Sequence, residues 1–151
     1  MRGWMIVCTL LALALAIGCA PSGVAAGEAS GGEAGPLEGT EWSLVEVGGQ
    51  PARAAGTAGT PTLRLDAAQK RAMGNTGCNS YGGPYELSGE SLRFGALAST
   101  RRACVDEELN RQESAYMRAL DETRTWRITG STLVLSGESG VVARFAAQPA
   151  G

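Results

Sequence analysis

The stretch GNTGCNSYGGPY, residues 74–85, combines four glycines, two asparagines, a proline and a cysteine. Such a run could bind a phosphate, present a reactive thiol or turn the chain. A phosphate loop needs a lysine followed by serine or threonine at the start of a helix, and this stretch has no lysine and no βαβ pattern around it. Because glycine and asparagine tolerate positive φ angles, we expect a turn between strands.

Alternating apolar and polar residues, which are typical of strands, flank this stretch on both sides. The predicted strands are residues 40–47 (TEWSLVEV), 62–66, 70–74, 85–87, 91–94 and 97–100. In the first, Trp42, Leu44 and Glu46 are expected on one face, with Ser43, Val45 and Val47 on the other. The loop at residues 48–61 has no apolar anchor larger than alanine, and is either a mobile binding flap or a tolerated insertion. We favour the insertion.

Residues 106–122 form the predicted helix. Asp106 suits the N-cap, acidic residues follow it, and Leu109, Tyr116, Met117 and Leu120 fall on one face. Three further strands are expected at residues 125–129, 132–136 and 141–146. This order indicates an α+β fold in which a curled, half-barrel-like antiparallel sheet of about eight strands wraps around a single helix.

The N-terminus, MRGWMIVCTLLALALAIGC, has one early positive charge and a short apolar run, as secretory signals do. Its end, LAIGC, resembles the lipobox of bacterial lipoproteins, in which the cysteine is acylated; Ala16 departs from the usual leucine. We predict a signal peptide at residues 1–18 and lipidation of Cys19, the alternative being an ordinary secreted protein. The resemblance, with Ala20 after the cysteine, implies the outer membrane, facing the periplasm.

Composition divides the rest of the chain into a tether and one domain. Residues 19–36 are nearly all Gly, Ala, Ser and Pro, which predicts a flexible tether, and the domain is expected at residues 37–148. Without Arg2, the 13 basic side chains become 12, against 15 acidic ones. No basic patch is present, so nucleic acid is not an expected partner, and we expect a monomer.

Two cysteines, Cys78 and Cys104, remain after Cys8 and Cys19 are assigned to the N-terminal segment. In an exported chain such a pair predicts one structural disulfide. A redox site would favour C-x-x-C, and a zinc site would need more soft ligands in a chain that has no histidine. We therefore predict no metal and no cofactor.

Several motifs in order resemble the META domain, the HslJ-like family: LEGTEW at residues 37–42, GNTGCNSYGGPYEL at 74–87, LASTRRAC at 97–104, a helix with Glu113, and TLVLSG at 132–137. The resemblance implies a small sheet wrapped on a helix and links to heat stress, envelope stress and drug tolerance, and brings no catalytic residues. The residues that match its signature are expected to be architectural: Trp42, Gly74, Gly77, Cys78, Asn79, Tyr81, Thr100 and Cys104.

The sequence favours a non-enzymatic protein. Acid–base chemistry without histidine needs paired carboxylates or a tuned lysine, and the mature region has only Lys70. We expect a module that binds an envelope protein or lipid near the membrane. A pilot-like lipoprotein for a secretion component and a stress-protective scaffold without a ligand are the alternatives.

Overall fold

The computed structural model of the protein describes residues 35–56, 59–102, 104 and 106–148. The predicted signal peptide (1–18), the lipidation site Cys19 and residues 20–34 of the predicted tether lie outside these ranges. No helix within them has the length and apolar content needed to cross a membrane.

The described residues form ten strands and one helix. Their bounds lie within two residues of the predicted ones except for β2, which was not predicted, and β5, which begins earlier than expected. The strands are β1 (Glu41–Val47), β2 (Gln50–Pro51), β3 (Thr62–Asp66), β4 (Arg71–Asn75), β5 (Ser80–Ser88), β6 (Ser91–Phe94), β7 (Ala98–Ser99), β8 (Thr125–Thr129), β9 (Thr132–Gly137) and β10 (Gly140–Ala147). The helix α1 spans Glu107–Glu122 and is N-capped by Asp106, whose side chain accepts from the Glu108 N–H. The fold is mostly antiparallel sheet with this helix.

The strands form one curled sheet in the order β10-β9-β8-β6-β5-β4-β3-β1-β2. β1 also pairs with β10, which links two distant members of that order. The contact between β6 and β8 is narrow, because it consists of the single pair Ser91 and Thr125. β7 lies off this path and pairs with β5.

Helix α1 packs against strands of this sheet through its apolar face. Tyr116, Ala119 and Leu120 are buried, and the Tyr116 ring meets Phe145 of β10 with ring centroids 6.1 Å apart. Trp42 is fully buried, and its indole N–H donates to the Leu37 carbonyl at 3.1 Å. Trp42 is thus part of the core that the sheet and the helix share.

The alternation expected in β1 is wrong after Leu44. A β-bulge between Leu44 and Glu46 shifts the pairing with β10 by one residue. Val47 is therefore buried on the same side as Leu44, whereas Val45 is 50% exposed. Glu46 instead contacts Arg144 of β10 at 2.7 Å.

The turn within the glycine-rich stretch is shorter than expected. β4 continues to Asn75 and β5 begins at Ser80, so only residues 76–79 turn the chain. Gly83, later in the stretch, allows a neighbouring segment of backbone to pack closely against β5. A Cβ at Gly83 would lie 2.5 Å from the Ala96 carbonyl oxygen, so glycine here lets residues 95–97 cross β5 closely.

The 48–61 loop has more structure than the sequence predicts. β2 pairs with β1, and Ala52 packs against the core. Arg53 is joined to Gln112 of α1 by two reciprocal backbone-to-side-chain hydrogen bonds of 2.7 and 2.9 Å, and it forms an ion pair with Glu108. The described part of the loop is therefore attached to the helix.

A small polar cluster holds the start of the domain against the sheet. The Glu38 carboxylate accepts from the Tyr85 hydroxyl and from Lys70 Nζ, the latter at 2.9 Å. The hydrogen bond from Tyr85, followed by that from Lys70, lowers the pKa of Glu38 below its ordinary 4.5. Burial, together with the same carboxylate, raises the pKa of Tyr85.

We expect Glu38→Gln to remove an acid-sensitive part of the stability. Because the folded-state pKa of Glu38 is lowered, its contribution is present above the unfolded pKa of about 4.5 and is lost as pH falls through the folded value. Urea midpoints should therefore be higher for the wild type near neutral pH, and the difference between the two proteins should shrink on acidification. A difference independent of pH would contradict this assignment.

Candidate functional site

A disulfide joins Cys78 and Cys104, as the sequence predicts, with a Cα–Cα distance of 5.6 Å. Cys78 lies in the turn between β4 and β5, and Cys104 lies just before α1. The bond therefore ties that turn to the segment that leads into the helix.

Asn79, next to the disulfide, uses all of its amide hydrogen-bonding capacity. Its Nδ2 donates to the Arg102 carbonyl at 3.1 Å and to Glu113 Oε1 at 2.8 Å. Its Oδ1 accepts from the Arg102 N–H at 2.7 Å and from Thr100 Oγ1 at 2.9 Å. The Asn79 side chain is buried and its amide is fully paired, so it fixes the path of residues 100–102.

Glu113 completes this network from the helix. Its Oε1 also accepts from Thr76 Oγ1 at 2.7 Å, and its Oε2 lies 3.6 Å from Cys104 Sγ. The atoms of Cys78, Cys104 and Glu113 that could bind a metal ion, two sulfurs and a carboxylate oxygen, lie within 4.8 Å of one another. Since the two sulfurs are bonded to each other, they do not act as thiolate ligands in this form.

The surroundings of the Thr62 carbonyl explain why residue 74 is a glycine and what the Tyr81 hydroxyl binds. The hydroxyls of Tyr81 and Tyr116 lie 2.8 Å apart, and each lies within 3.0 Å of the Thr62 carbonyl oxygen. A Cβ at Gly74 would stand 2.0 Å from that oxygen. Burial raises the pKa of both tyrosines, which keeps the hydroxyls protonated as hydrogen-bond donors.

Gly74→Ala should destabilise the domain by about 2 kcal/mol, because the new methyl group displaces the carbonyl to which both tyrosines bind. Gly82→Ala is the matched control. It lies in the paired strand, and its Cβ would meet neighbours only at 3.4 Å or more, so its effect should stay below about 1 kcal/mol. Urea unfolding of both variants provides the test, and equal effects would contradict it.

Gly77 serves the turn itself. Its φ of 94° favours glycine, and its N–H is bound by Asn75 Oδ1 at 2.9 Å. Neither Asn75 nor Asn79 has a positive φ, so asparagine contributes here through its side chain.

An open cleft separates helix α1 from residues 94–102. Its larger part, about 810 Å3, is lined from one side by residues 97–102 and from the helix by Asn110, Glu113, Ser114 and Met117, with Asn79 between them. A second part of about 520 Å3 continues past Leu97 and Met117 to Phe94 and Asp121. We call the two parts together the β7–α1 groove.

Of the predicted signature residues, the structure places Asn79 and Thr100 in the lining of this groove. Asn79, Thr100 and the disulfide hold one wall, whereas Trp42, Gly74 and Tyr81 lie in or beside the core. Sequence reasoning did not assign Arg101 and Arg102 to a wall, although this basic pair lies within three residues of Cys104. It also did not assign Met117 to a cleft, because helical periodicity alone marks it as a core residue.

Comparisons with known proteins identify the family. The profile of the META domain matches residues 35–150. An NMR structure of a protein from Burkholderia xenovorans is 30% identical and has a TM-score of 0.59, with 76% of this chain and 85% of that chain covered. No curated protein matches the chain.

Two further solved structures share the fold. One, an NMR structure, is 23% identical with a TM-score of 0.58, covering 73% of this chain and 91% of the other. The second is a crystal structure of a DUF4847 family protein from Bacteroides vulgatus, 12% identical with a TM-score of 0.52, covering 76% and 96%. With the signature residues placed as described and the family profile spanning the whole described fold, this chain belongs to the META domain family.

Proposed function

We propose that this chain is a non-enzymatic envelope lipoprotein that binds a partner at the membrane surface through the β7–α1 groove, in envelope stress, heat stress or drug tolerance. The groove is the observation that carries the proposal. Its larger part has the volume of an ordinary ligand site. The groove is also open along its length, as a site for a macromolecule must be.

An available strand edge supports binding of a protein. β7 pairs with β5 on one side, and none of the described strands pairs with its other side. Unpaired edges accept extended peptides by strand addition. Residues of β7 and of α1 line opposite sides of the same opening.

The chemistry of the groove supports binding over catalysis. Glu113, the carboxylate in the centre of the groove, is already bound by Thr76 and Asn79. Both of these hydrogen bonds go to Glu113 Oε1, so that oxygen is occupied by groups of the protein itself. The groove therefore offers contacts to a partner but no evident acid–base pair.

The N-terminal segment supports the location. An acylated Cys19 would hold the domain at the outer membrane, and the tether at residues 19–36 would let it reach a periplasmic partner. Anchoring would raise the local concentration of the domain near that surface, which favours binding to partners there.

Complementation of a deletion strain tests the proposal. Ser114→Trp fills the groove from an exposed helix position, and Arg118→Trp places the same ring outside the groove on the same helix. Under heat, detergent and antibiotics, we expect Arg118→Trp to restore growth and both Ser114→Trp and Cys19→Ser to fail. Full complementation by Ser114→Trp would contradict a role for the groove and favour a scaffold without a ligand.

A further inference from the structure

We infer that the occupant of the β7–α1 groove is an extended peptide segment that carries an acidic side chain and, four positions away, an apolar one. This inference rests on the proposed function and names the class of partner. It follows from the charges, the backbone and the apolar surface that the groove offers.

The groove has a positive end. Two arginines, Arg101 and Arg102, and one carboxylate, Glu113, line the larger part of the groove, so its formal charge is positive. Glu113 Oε1 is already bound inside the protein, whereas both arginines are exposed and neither makes an ion pair with any described residue. Arg102 is held in place through both of its backbone polar groups by Asn79. An arginine on a fixed backbone loses less freedom when it binds a carboxylate, so this end favours an acidic side chain. Asp121 at the opposite end of the groove disfavours a second one.

The backbone of β7 points one set of polar groups into the groove. Thr100 donates its N–H to the Ser80 carbonyl of β5 at 3.0 Å. Because backbone groups alternate along a strand, the N–H and C=O of Ser99 point away from β5. They can pair with a peptide that lies beside β7.

Apolar surface lies beside the charges in the groove. Leu97 and Met117 line both parts of the groove, and Leu97 and Arg101 are four positions apart. Side chains four positions apart in an extended segment are on the same side and about 13 Å apart, so a peptide that pairs with Ala98–Ser99 in register needs a similar spacing. Polar groups from Ser99, Thr100, Asn110 and Ser114 line the rest, which disfavours a lipid acyl chain.

Fluorescence anisotropy with the full-length protein tests the inference. The probe is fluorescein-labelled Thr-Glu-Thr-Val-Thr-Leu-Thr, compared with a peptide in which leucine is one position closer and one in which lysine replaces glutamate. We expect the first to bind at least about tenfold more tightly than either, and more weakly as salt is raised.

Variants separate the parts of the site. Arg101→Gln with Arg102→Gln should weaken binding about tenfold, and Ser99→Pro, which removes the free N–H from an edge position, should abolish it. Arg64→Gln with Arg127→Gln makes the same charge change at exposed positions away from the groove and should leave binding unchanged. Unfolding curves for each variant exclude loss of the fold as the cause.

Two results would overturn the inference. One is equal binding of the three peptides. The other is absence of peptide binding together with binding to phosphatidylglycerol vesicles that requires Arg101 and Arg102. If peptides fail while Ser114→Trp still blocks complementation, the groove keeps its proposed role and only the peptide inference falls.

Discussion

Replacing both disulfide cysteines, Cys78→Ser with Cys104→Ser, should lower the free energy of unfolding by about 3.5 kcal/mol. The bond closes a loop with a sequence separation of 26, and the chain-entropy account gives this value for such a loop. The free energy of unfolding of a typical domain is about 5–15 kcal/mol, so the variant would lose a large part of its stability. Urea unfolding at neutral pH measures the change.

The wild-type protein treated with dithiothreitol is the matched control, because it lacks the bond but keeps both sulfur atoms. It should lose a similar amount of stability. A loss below about 1 kcal/mol in both samples would show that the bond does not constrain the unfolded chain as the account requires.

Asn79→Ala should cost about 3 kcal/mol. The substitution leaves the Arg102 N–H and carbonyl without their partner and removes one donor from Glu113. Buried polar groups that lose a partner cost about 1–3 kcal/mol each, and Asn79 serves several. The variant should also weaken the wall of the groove, so amide exchange should become faster at residues 100–102.

Asn110→Ala provides the comparison for Asn79→Ala. Asn110 lies in the same groove and is exposed, and it accepts one long hydrogen bond of 3.4 Å from the Cys104 N–H. We expect a loss below about 1 kcal/mol and unchanged exchange at residues 100–102. Equal losses for the two variants would mean that the buried network has no special role.

Local pattern was enough to predict most of the elements. Residues 62–66, 91–94 and 125–129 are strands within the predicted bounds, since short alternating runs between turn residues have few other solutions. The helix was predicted because Asp106 caps it and Tyr116 and Leu120 share its buried face. The disulfide followed from the number of cysteines left once the chain was predicted to be exported.

Features set by distant contacts could not be predicted in this way. The bulge in β1 depends on its pairing with β10 at the other end of the chain, so Val47 was placed on the wrong face. The start of β5 was missed because glycines that serve close packing look like turn residues. The groove depends on Asn79 holding Arg102, 23 positions away, and no local pattern reports that contact.

Photo-crosslinking in intact cells tests the central claim, which is that the β7–α1 groove holds a partner at the membrane surface. A photoreactive residue is placed in the full-length protein at Ser114, inside the groove, or at Arg118, on the same helix outside it. We predict a discrete adduct from position 114 that is absent from position 118 and is lost when Ser99→Pro is added. The same adducts from both positions, or none from position 114, would contradict the account.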